Sequence, residues 1–134
     1  MAKDKSEKSK PDGADVSAGG PEARAVAKYV RTAPRKLRLV ADMIRGRKAK
    51  EAQDLLNFTP KRAAKTLLKV LQSAMANAEN NFNLDKDRLT VCTTFVDQGP
   101  AIKRFIPRSR GRASSVLKYS SHITVVLRQS VEGI

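Results

Sequence analysis

"RLTVCTTFVDQGPAIKRFIPRSRGRASSVLKYSSHITVVLR", residues 88–128, has alternating apolar and polar side chains at both ends and a basic segment between them. Both ends are rich in β-branched residues, and a period of two with this composition predicts β-strands. Two such strands on either side of a central segment predict an antiparallel hairpin. The side chains predicted to share one face are Leu89, Val91, Thr93 and Phe95 in the first strand, and Ile123, Val125 and Leu127 in the second.

The central segment, residues 99–114, combines positive charge with bulky apolar side chains. It contains five cations, no carboxylate and three large apolar residues, Ile102, Phe105 and Ile106. Burial of unpaired charges is costly, and so much apolar surface is unfavourable in water. We therefore expect this segment to meet a partner of opposite charge. Its cations are Lys103, Arg104, Arg108, Arg110 and Arg112.

The length of the hairpin favours its projection from the body of the protein. About 18 residues separate Arg88 from the middle of the basic segment, which at roughly 3.3 Å per residue reaches on the order of 60 Å. A compact domain of this size has a radius of gyration of about 14 Å. We predict a long protruding β-hairpin over residues 88–128, with its tip at about residues 99–112. The surface into which it inserts is expected to order it.

Upstream of the hairpin the pattern changes along the chain. Residues 1–22 are rich in Lys, Asp, Ser and Gly and predict a disordered tail. Residues 23–31 predict a short strand of imperfect alternation. Helical spacing of apolar residues predicts helices over about 33–45, 48–57 and 60–80, the first capped by Thr32 and stopped by Gly46.

These elements predict a single α+β domain over residues 23–134. Three helices are expected to pack on one face of a small three-stranded antiparallel sheet, from which the hairpin protrudes. With 134 residues, 40% of them hydrophobic and 4% aromatic, the chain allows only a modest aliphatic core. The lone cysteine, Cys92, excludes an internal disulfide and is predicted to be buried in its strand.

The net charge of +14 is unevenly distributed along the chain. Between Asp97 and Glu132 there is no carboxylate, against seven Lys or Arg residues. A field of one sign indicates a polyanionic partner, either nucleic acid or anionic lipid. A second basic cluster surrounds the start of the first predicted helix, where the helix dipole favours phosphate. Its members are Arg31, Arg35, Lys36 and Arg38.

The sequence carries no pattern typical of an enzyme. The single histidine, His122, has no acidic residue close in sequence, which favours a structural or surface role over general-base catalysis. The carboxylates are not paired for acid–base chemistry or metal binding, and no glycine-rich phosphate loop occurs. We expect no enzymatic activity, no metal and no cofactor. The absence of a long apolar run or a signal segment predicts a cytoplasmic protein that does not enter a membrane.

Three classes of function fit a chain of this charge. A structural RNA-binding protein would use the basic hairpin to recognise the shape and backbone of folded RNA. A DNA-binding regulator would use the break at residues 56–58 as a helix-turn-helix, although the highest charge density lies elsewhere. A membrane-active cationic protein would need a basic amphipathic helix, whereas the long predicted helix is alanine-rich and typical of a core.

Residues 103–127 also follow a specific family pattern. The pattern begins with a basic residue, four residues of any type, Arg or His, a small residue, any residue, Gly and a second basic residue. After nine further residues it continues with His, Asn or Asp and then with alternating aliphatic residues. On this pattern, and on "TAPRKLRLVADMIRG", "SAMANAENN", "FVDQGPAIKRFIPRSRGRA" and "SHITVVL", the chain resembles the family of bacterial large-subunit ribosomal protein number twenty-two over residues 23–129. Ser114, Ser115 and Tyr119 stand where charged residues are frequent in that family. The residues that meet the pattern are Lys103, Arg108, Ser109, Gly111, Arg112, His122, Ile123, Val125 and Leu127.

The resemblance implies a structural constituent of the large ribosomal subunit. In this family an α+β body lies on the solvent side of the subunit, and a long hairpin threads into its RNA. Proteins of this family contact several domains of large-subunit rRNA and aid assembly. The tip of their hairpin lies near the constriction of the nascent-peptide exit tunnel, opposite large-subunit protein number four. The implied partners are this rRNA, neighbouring ribosomal proteins including number four, and the nascent peptide.

Position and charge together assign two sets of residues. The resemblance implies that Ile102, Lys103, Arg104, Phe105 and Ile106 lie at or near the tunnel tip. The residues expected to bind rRNA are Arg31, Arg35, Lys36, Arg38, Lys103, Arg104, Arg108, Arg110, Arg112 and Lys118.

Overall fold

The computed structural model describes residues 20–130 and confirms the α+β class. Residues 1–19, which make up most of the predicted tail, and residues 131–134 lie outside the described residues. The predicted boundary of the tail, residue 22, is the first residue of a strand. In chain order the elements are β1 (Glu22–Val30), α1 (Pro34–Ile44), α2 (Ala49–Phe58), α3 (Arg62–Phe82), β2 (Leu89–Gln98), β3 (Ile102–Pro107), β4 (Ala113–Lys118) and β5 (Ser121–Gln129).

Strand β5 is the centre of an antiparallel sheet with the order β1-β5-β2. On its inner face the predicted core residues Ile123, Val125 and Leu127 are fully buried. Helix α3 packs against β1 and β5, α1 packs beside β2, and α2 packs on α3. Because β5 is hydrogen-bonded on both sides, it sets the register of both other strands of this sheet.

The apolar stripes predicted for α1 and α3 form a large part of the remaining core, to which α2 adds Ala49, Ala52 and Leu56. Their three- and four-residue spacing places the side chains on one face of each helix. Helix α1 ends at Ile44, where Gly46 at φ 78° turns the chain and donates its N–H to the Val91 carbonyl at 2.9 Å. The buried stripes are Leu37, Val40, Ala41 and Ile44 in α1, and Ala64, Leu67, Leu71, Met75 and Ala78 in α3.

A β-bulge overturns the alternation predicted for β2. The register with β5 shifts between Val91 and Thr93, so that Cys92 is an extra residue in this strand. An extra residue moves all later side chains to the opposite face of the strand. Val96 is therefore buried and Phe95 is 40% exposed, which corrects the predicted face. Cys92 is half-buried rather than buried, because it lies at the bulge.

The outer edge of β2 is covered by the segment around α1. Residues 46–48 pair with the first half of the strand. Further along, Arg45 Nη2 donates to the Thr94 carbonyl at 2.7 Å. Arg38 Nε donates to the Val96 carbonyl at 3.2 Å. An uncovered edge strand is a template for pairing with other chains, so these arginines protect the sheet.

Beyond the three-stranded sheet, the β2–β5 hairpin continues into a second sheet formed by β3 and β4. Between the pairs Gln98↔Ser121 and Ile102↔Lys118, residues 99–101 face only two residues of the returning chain. The outgoing strand therefore gains one further residue here. We call this irregular connection the junction (residues 99–101 and 119–120), and the hairpin beyond it the arm (residues 102–118).

Three consecutive side chains, those of Ser120 in the junction and of Ser121 and His122 at the start of β5, each bond to the backbone of a different segment. Tyr29 lies at φ 57°, which L residues rarely adopt, at a register shift in β1. The hydrogen bonds of the three side chains connect the start of β5 to the outgoing strand, to the loop before α1 and to β1. They run from Ser120 Oγ to the Pro100 carbonyl (2.6 Å), from Ser121 Oγ to the Thr32 carbonyl (2.6 Å), and from the Tyr29 N–H to His122 Nδ1 (3.1 Å).

The hydrogen bond from Arg45 to the Thr94 carbonyl is expected to contribute to the stability of the fold. Arg45→Ala leaves the carbonyl of Thr94, a buried residue, without this partner, so we expect the free energy of unfolding to fall by about 1–2 kcal/mol. Urea denaturation of the full chain measures this change. Asp42→Ala is the matched control, because it removes only the exposed ion pair between Asp42 and Arg45 and should cost less than about 0.5 kcal/mol. An equal loss in both variants would contradict a role for the carbonyl contact.

Close packing at the junction makes a second prediction. A Cβ on Gly99 would lie 2.6 Å from Ser120 Oγ and 3.3 Å from two ring atoms of His122. Gly99→Ala is therefore expected to lower the free energy of unfolding by about 1–3 kcal/mol. Urea denaturation should also show that Gly99→Ala combined with Ser120→Ala costs less than the two single changes together. Strict additivity would exclude this clash as the cause.

Candidate nucleic-acid interface

The arm carries exposed cations and apolar side chains on both of its faces. Six residue pairs join β3 to β4, and every side chain of β3 is exposed. Because successive side chains point to opposite faces, Arg104 and Ile106 share one face, and Lys103 and Phe105 share the other. Each face therefore presents a cation beside a large apolar group.

The chain reverses at residues 108–112, a segment that contains three arginines. The N–H of Arg108 donates to the Arg112 carbonyl at 2.6 Å. Arg110 and Gly111 follow each other at φ 60° and 71°, which turns the chain back on itself. Arg108 Nε also donates to Ser114 Oγ at 3.3 Å. Arg108, Arg110 and Arg112 thus lie at the end of the arm most distant along the strands from the junction.

Residues 102–106 lie along β3 rather than at the reversal. Ile102 pairs with Lys118 next to the junction, and the pairing continues as far as Pro107. Residues 102–106, which were predicted at or near the tip, thus belong to a paired strand, and the reversal itself lies within the later part of the predicted tip, residues 99–112.

Within residues 20–130, no carboxylate lies within ion-pair distance of a cation of the arm. The ion pairs of these residues all lie in the body. There, the hydrogen bond from Lys50 lowers the pKa of the Asp87 carboxyl below its ordinary value, as a neighbouring cation should. The arm has no such counter-charge among the described residues. The pairs of the body are Arg45–Asp42, Lys50–Asp87, Lys86–Glu79 and Arg128–Glu22.

A cavity of about 510 Å³, which we call the helix-start cavity, lies where α1 and α3 begin. Four cations contribute to its wall and no carboxylate does. Leu39 adds an apolar side chain that is 59% exposed. The lining residues are Arg31, Thr32, Ala33, Lys36, Leu39, Lys61, Arg62 and Ala63.

The helices that begin at this cavity have no side-chain cap. The predicted cap Thr32 is wrong, because Ala33 occupies the cap position of α1 and makes no side-chain hydrogen bond. Lys61 occupies the same position in α3, also without a bond, and neither helix has a carboxylate in its first turn. The free N–H groups and the helix dipoles therefore add to the positive potential of the cations.

Two further cavities flank Tyr119 at the base of the arm. We call the larger one, of about 490 Å³, the arm-base cavity, and the smaller one, of about 310 Å³, the α1 cavity. Tyr119 and Ala33 line both, and neither cavity has a carboxylate in its wall. The arm-base cavity is lined by Arg31, Thr32, Ala33, Ile102, Arg104, Leu117, Lys118, Tyr119 and Ser120, and the α1 cavity by Ala33, Pro34, Arg35, Arg38, Gln98 and Tyr119.

The three cavities bring together residues that are far apart in the sequence. Lys103 lies on the opposite face of the arm from Arg104, and the three arginines of the turn lie at its far end. Arg38 is partly engaged, because its Nε already donates to Val96. The predicted rRNA-binding residues that line a cavity are Arg31, Arg35, Lys36, Arg38, Arg104 and Lys118.

Three residues of this surface were not predicted from the sequence. Lys61 and Arg62 begin α3 as a basic pair, the same signal that singled out Arg35 and Lys36 at the start of α1. Tyr119 gave no signal of its own, because its importance comes from the cavities on both sides. Charge at helix starts would thus have found two of the three.

Other kinds of site find no support in the described part of the chain. Among residues 20–130, no three His, Cys, Asp or Glu residues are grouped so that they could hold a metal ion. None of the helices described is both long and apolar enough to cross a membrane.

Comparison with known proteins gives a consistent match. The ribosomal protein L22p/L17e family matches residues 25–128, from β1 to β5. The Large ribosomal subunit protein uL22 of Clostridium novyi is 55% identical over 108 residues, which cover 81% of this chain and 97% of the relative. The uL22 protein of Pelotomaculum thermopropionicum is 53% identical over 112 residues, which cover 84% and 99%. That of Clostridium acetobutylicum is 55% identical over 108 residues, which cover 81% and 97%.

The match includes both basic surfaces, namely the cavities around the start of α1 and the arm with its turn. It also includes Ser120, Ser121 and His122, which tie the base of the arm to the neighbouring segments of the body. On this extent of agreement, the chain belongs to the ribosomal protein L22p/L17e family.

Proposed function

We propose that this protein is a structural constituent of the large ribosomal subunit that binds large-subunit rRNA and aids assembly of the subunit. Its place of action is then the ribosome, in the bacterial cytoplasm. The names of the relatives support membership of the subunit. A protein of this kind acts by binding and shape, and its proposed role includes no catalytic step.

One observation carries the proposal: the arm is densely cationic, exposed, and has no carboxylate of residues 20–130 beside it. Like charges held on a narrow two-stranded ribbon repel each other, and a polyanion removes this cost. When a phosphate is neutralised by Lys or Arg, condensed counterions are released from the nucleic acid, which drives association. Arginine adds a planar fork that can bond two phosphate oxygens at once.

The position of the turn refines the proposed contacts. We assign Arg108, Arg110 and Arg112 to the part of the arm that reaches the constriction of the exit tunnel, near large-subunit protein number four and the nascent peptide. Residues 102–106 would then contact rRNA along the side of the arm. The cations of the three cavities would hold rRNA against the body. This division follows from the register of β3 with β4.

The helix-turn-helix alternative is not supported. In such a motif the second helix must present a free face to the DNA major groove. Here the second helix would be α3, whose exposed face over residues 65–76 carries only two cations, Lys65 and Lys69. The greatest charge density lies on the arm, and the family that matches the chain is a ribosomal protein family.

The salt dependence of binding tests the proposal. We expect the full chain to bind fragments of large-subunit rRNA more tightly than random duplex DNA, with an affinity that falls steeply with salt. Replacing Arg108, Arg110 and Arg112 with Ala should reduce the slope of log K against log salt by about 2–3, because about 0.7–0.9 is lost for each phosphate contact. Fluorescence anisotropy across a salt series gives both quantities.

The control for this experiment is Lys50→Ala with Lys86→Ala, which removes two cations that are already paired in the body. This variant should leave the slope almost unchanged. Equal affinity for rRNA and duplex DNA, or an equal loss of slope in both variants, would overturn the proposal.

A second test separates folding from binding. Lys103 and Arg104 are exposed and have no ion-pair partner among residues 20–130. Lys103→Ala with Arg104→Ala should therefore change the free energy of unfolding by less than about 0.5 kcal/mol, while it weakens binding to rRNA. Urea denaturation and the same anisotropy assay measure the two effects. A large loss of stability would mean that these side chains serve the fold.

A further inference from the structure

Tyr119 occupies an unusual place at the base of the arm. It is the residue between Lys118, the last residue of β4, and the buried Ser120 of the junction. Its side chain is 42% exposed. Tyr119 lines both the arm-base cavity and the α1 cavity. An aromatic ring in this position has surface that no other part of the described chain covers.

The surroundings of Tyr119 combine two kinds of chemistry. Ile102 and Leu117, which are 39% and 43% exposed, contribute apolar wall to the arm-base cavity. Five cations line the two cavities, and no carboxylate lines either of them. Three of the cations lie in the arm-base cavity and two in the α1 cavity. They are Arg31, Arg104, Lys118, Arg35 and Arg38.

This combination matches an unpaired nucleotide. A base that is free of its neighbours can stack on an aromatic ring, while the phosphates on either side of it bond to Arg or Lys. A base inside a duplex offers only its edge in the grooves, so a stacking ring has no use there. A plain phosphate site would need the cations but would gain nothing from the ring and the two aliphatic side chains.

We propose that Tyr119 and the arm-base cavity hold one unpaired nucleotide of RNA, with its base stacked on the Tyr119 ring. Arg31 and Arg104 neutralise the flanking phosphates, one from the body and one from the arm. The bound nucleotide therefore bridges the arm and the body, next to the hydrogen bonds of Ser120, Ser121 and His122. This inference rests on the proposed function, because it gives the RNA contact a specific chemical class of ligand.

Tyr119→Ala and Tyr119→Phe form the test pair. The probes are a fluorescent ten-nucleotide oligouridine, which is unpaired, and a blunt RNA duplex of twelve base pairs. Tyr119→Ala should weaken binding of the oligouridine about tenfold, because the stacking surface is lost, and should change binding of the duplex less than twofold. Tyr119→Phe keeps the ring and should stay within twofold of the original chain with both probes.

The salt series separates the ring from the charges. Tyr119→Ala should leave the slope of log K against log salt unchanged, whereas Arg104→Ala should reduce it by about 0.7. In addition, a 4-thiouridine placed in the oligouridine should crosslink under ultraviolet light to the peptide that contains Tyr119. Urea denaturation confirms that each variant is folded, and Tyr119→Leu supplies a variant that keeps apolar bulk without the ring.

Several outcomes would overturn the inference. These are an equal loss of affinity for both probes, no loss for either, a Tyr119→Leu variant that binds like the original chain, or crosslinks confined to other peptides. An oligoglutamate that binds as tightly as the oligouridine and loses affinity with Tyr119→Ala would instead identify a site for acidic peptides. If the original chain binds no large-subunit rRNA, the proposed function itself fails. If it binds rRNA and Tyr119→Ala is without effect on either probe, only the nucleotide site is wrong.

Discussion

The pairing of β5 with β2 is the interaction on which both halves of the molecule depend. At one end of this ladder, the buried side chains of β5 form the centre of the core, where β5 packs against α3 and β2 packs against α1 and α2. At the other end, the two segments of the chain continue beyond this sheet as the strands of the arm. A two-stranded ribbon alone is marginal in water. The body therefore supplies the register and direction of the arm, through the ladder and the bonds of Ser120, Ser121 and His122.

Repulsion between the cations of the arm opposes the pairing of its strands. Backbone hydrogen bonds hold the strands of the arm together, while its cations repel one another without an internal carboxylate among the described residues. The starts of α1 and α3 add two uncapped helix dipoles to the same surface. In the free protein these features are unfavourable, and an RNA partner turns each of them into a favourable contact. Binding and order of the basic surface are thus coupled by the distribution of charge.

The elements with strong periodicity could be predicted from the sequence. The stripe of α1 and the alternating residues of β5 agree with the structure, because one face of each is buried and local spacing records this. The bulge at Cys92 and the left-handed Tyr29 could not be predicted, since both arise from pairing with β5, a distant part of the chain. The exact position of the turn within the predicted tip, residues 99–112, could not be predicted, because both faces of the arm are exposed and burial imposes no pattern there. Lys61 and Arg62 meet Arg31 only through the tertiary packing.

The two extra residues of the outgoing chain, at Cys92 and at the junction, have a consequence for how the length of this protein can vary. Each extra residue moves the following side chains of the outgoing strand to the opposite face. Two extra residues therefore return the side chains to their original faces before β3 begins. Loss of one such residue would rotate the ribbon by half a turn about its axis and present Lys103 where Arg104 now lies. Over evolutionary time, hairpins of this kind should lengthen or shorten in even steps on each strand, and odd changes should be confined to the loop at the end.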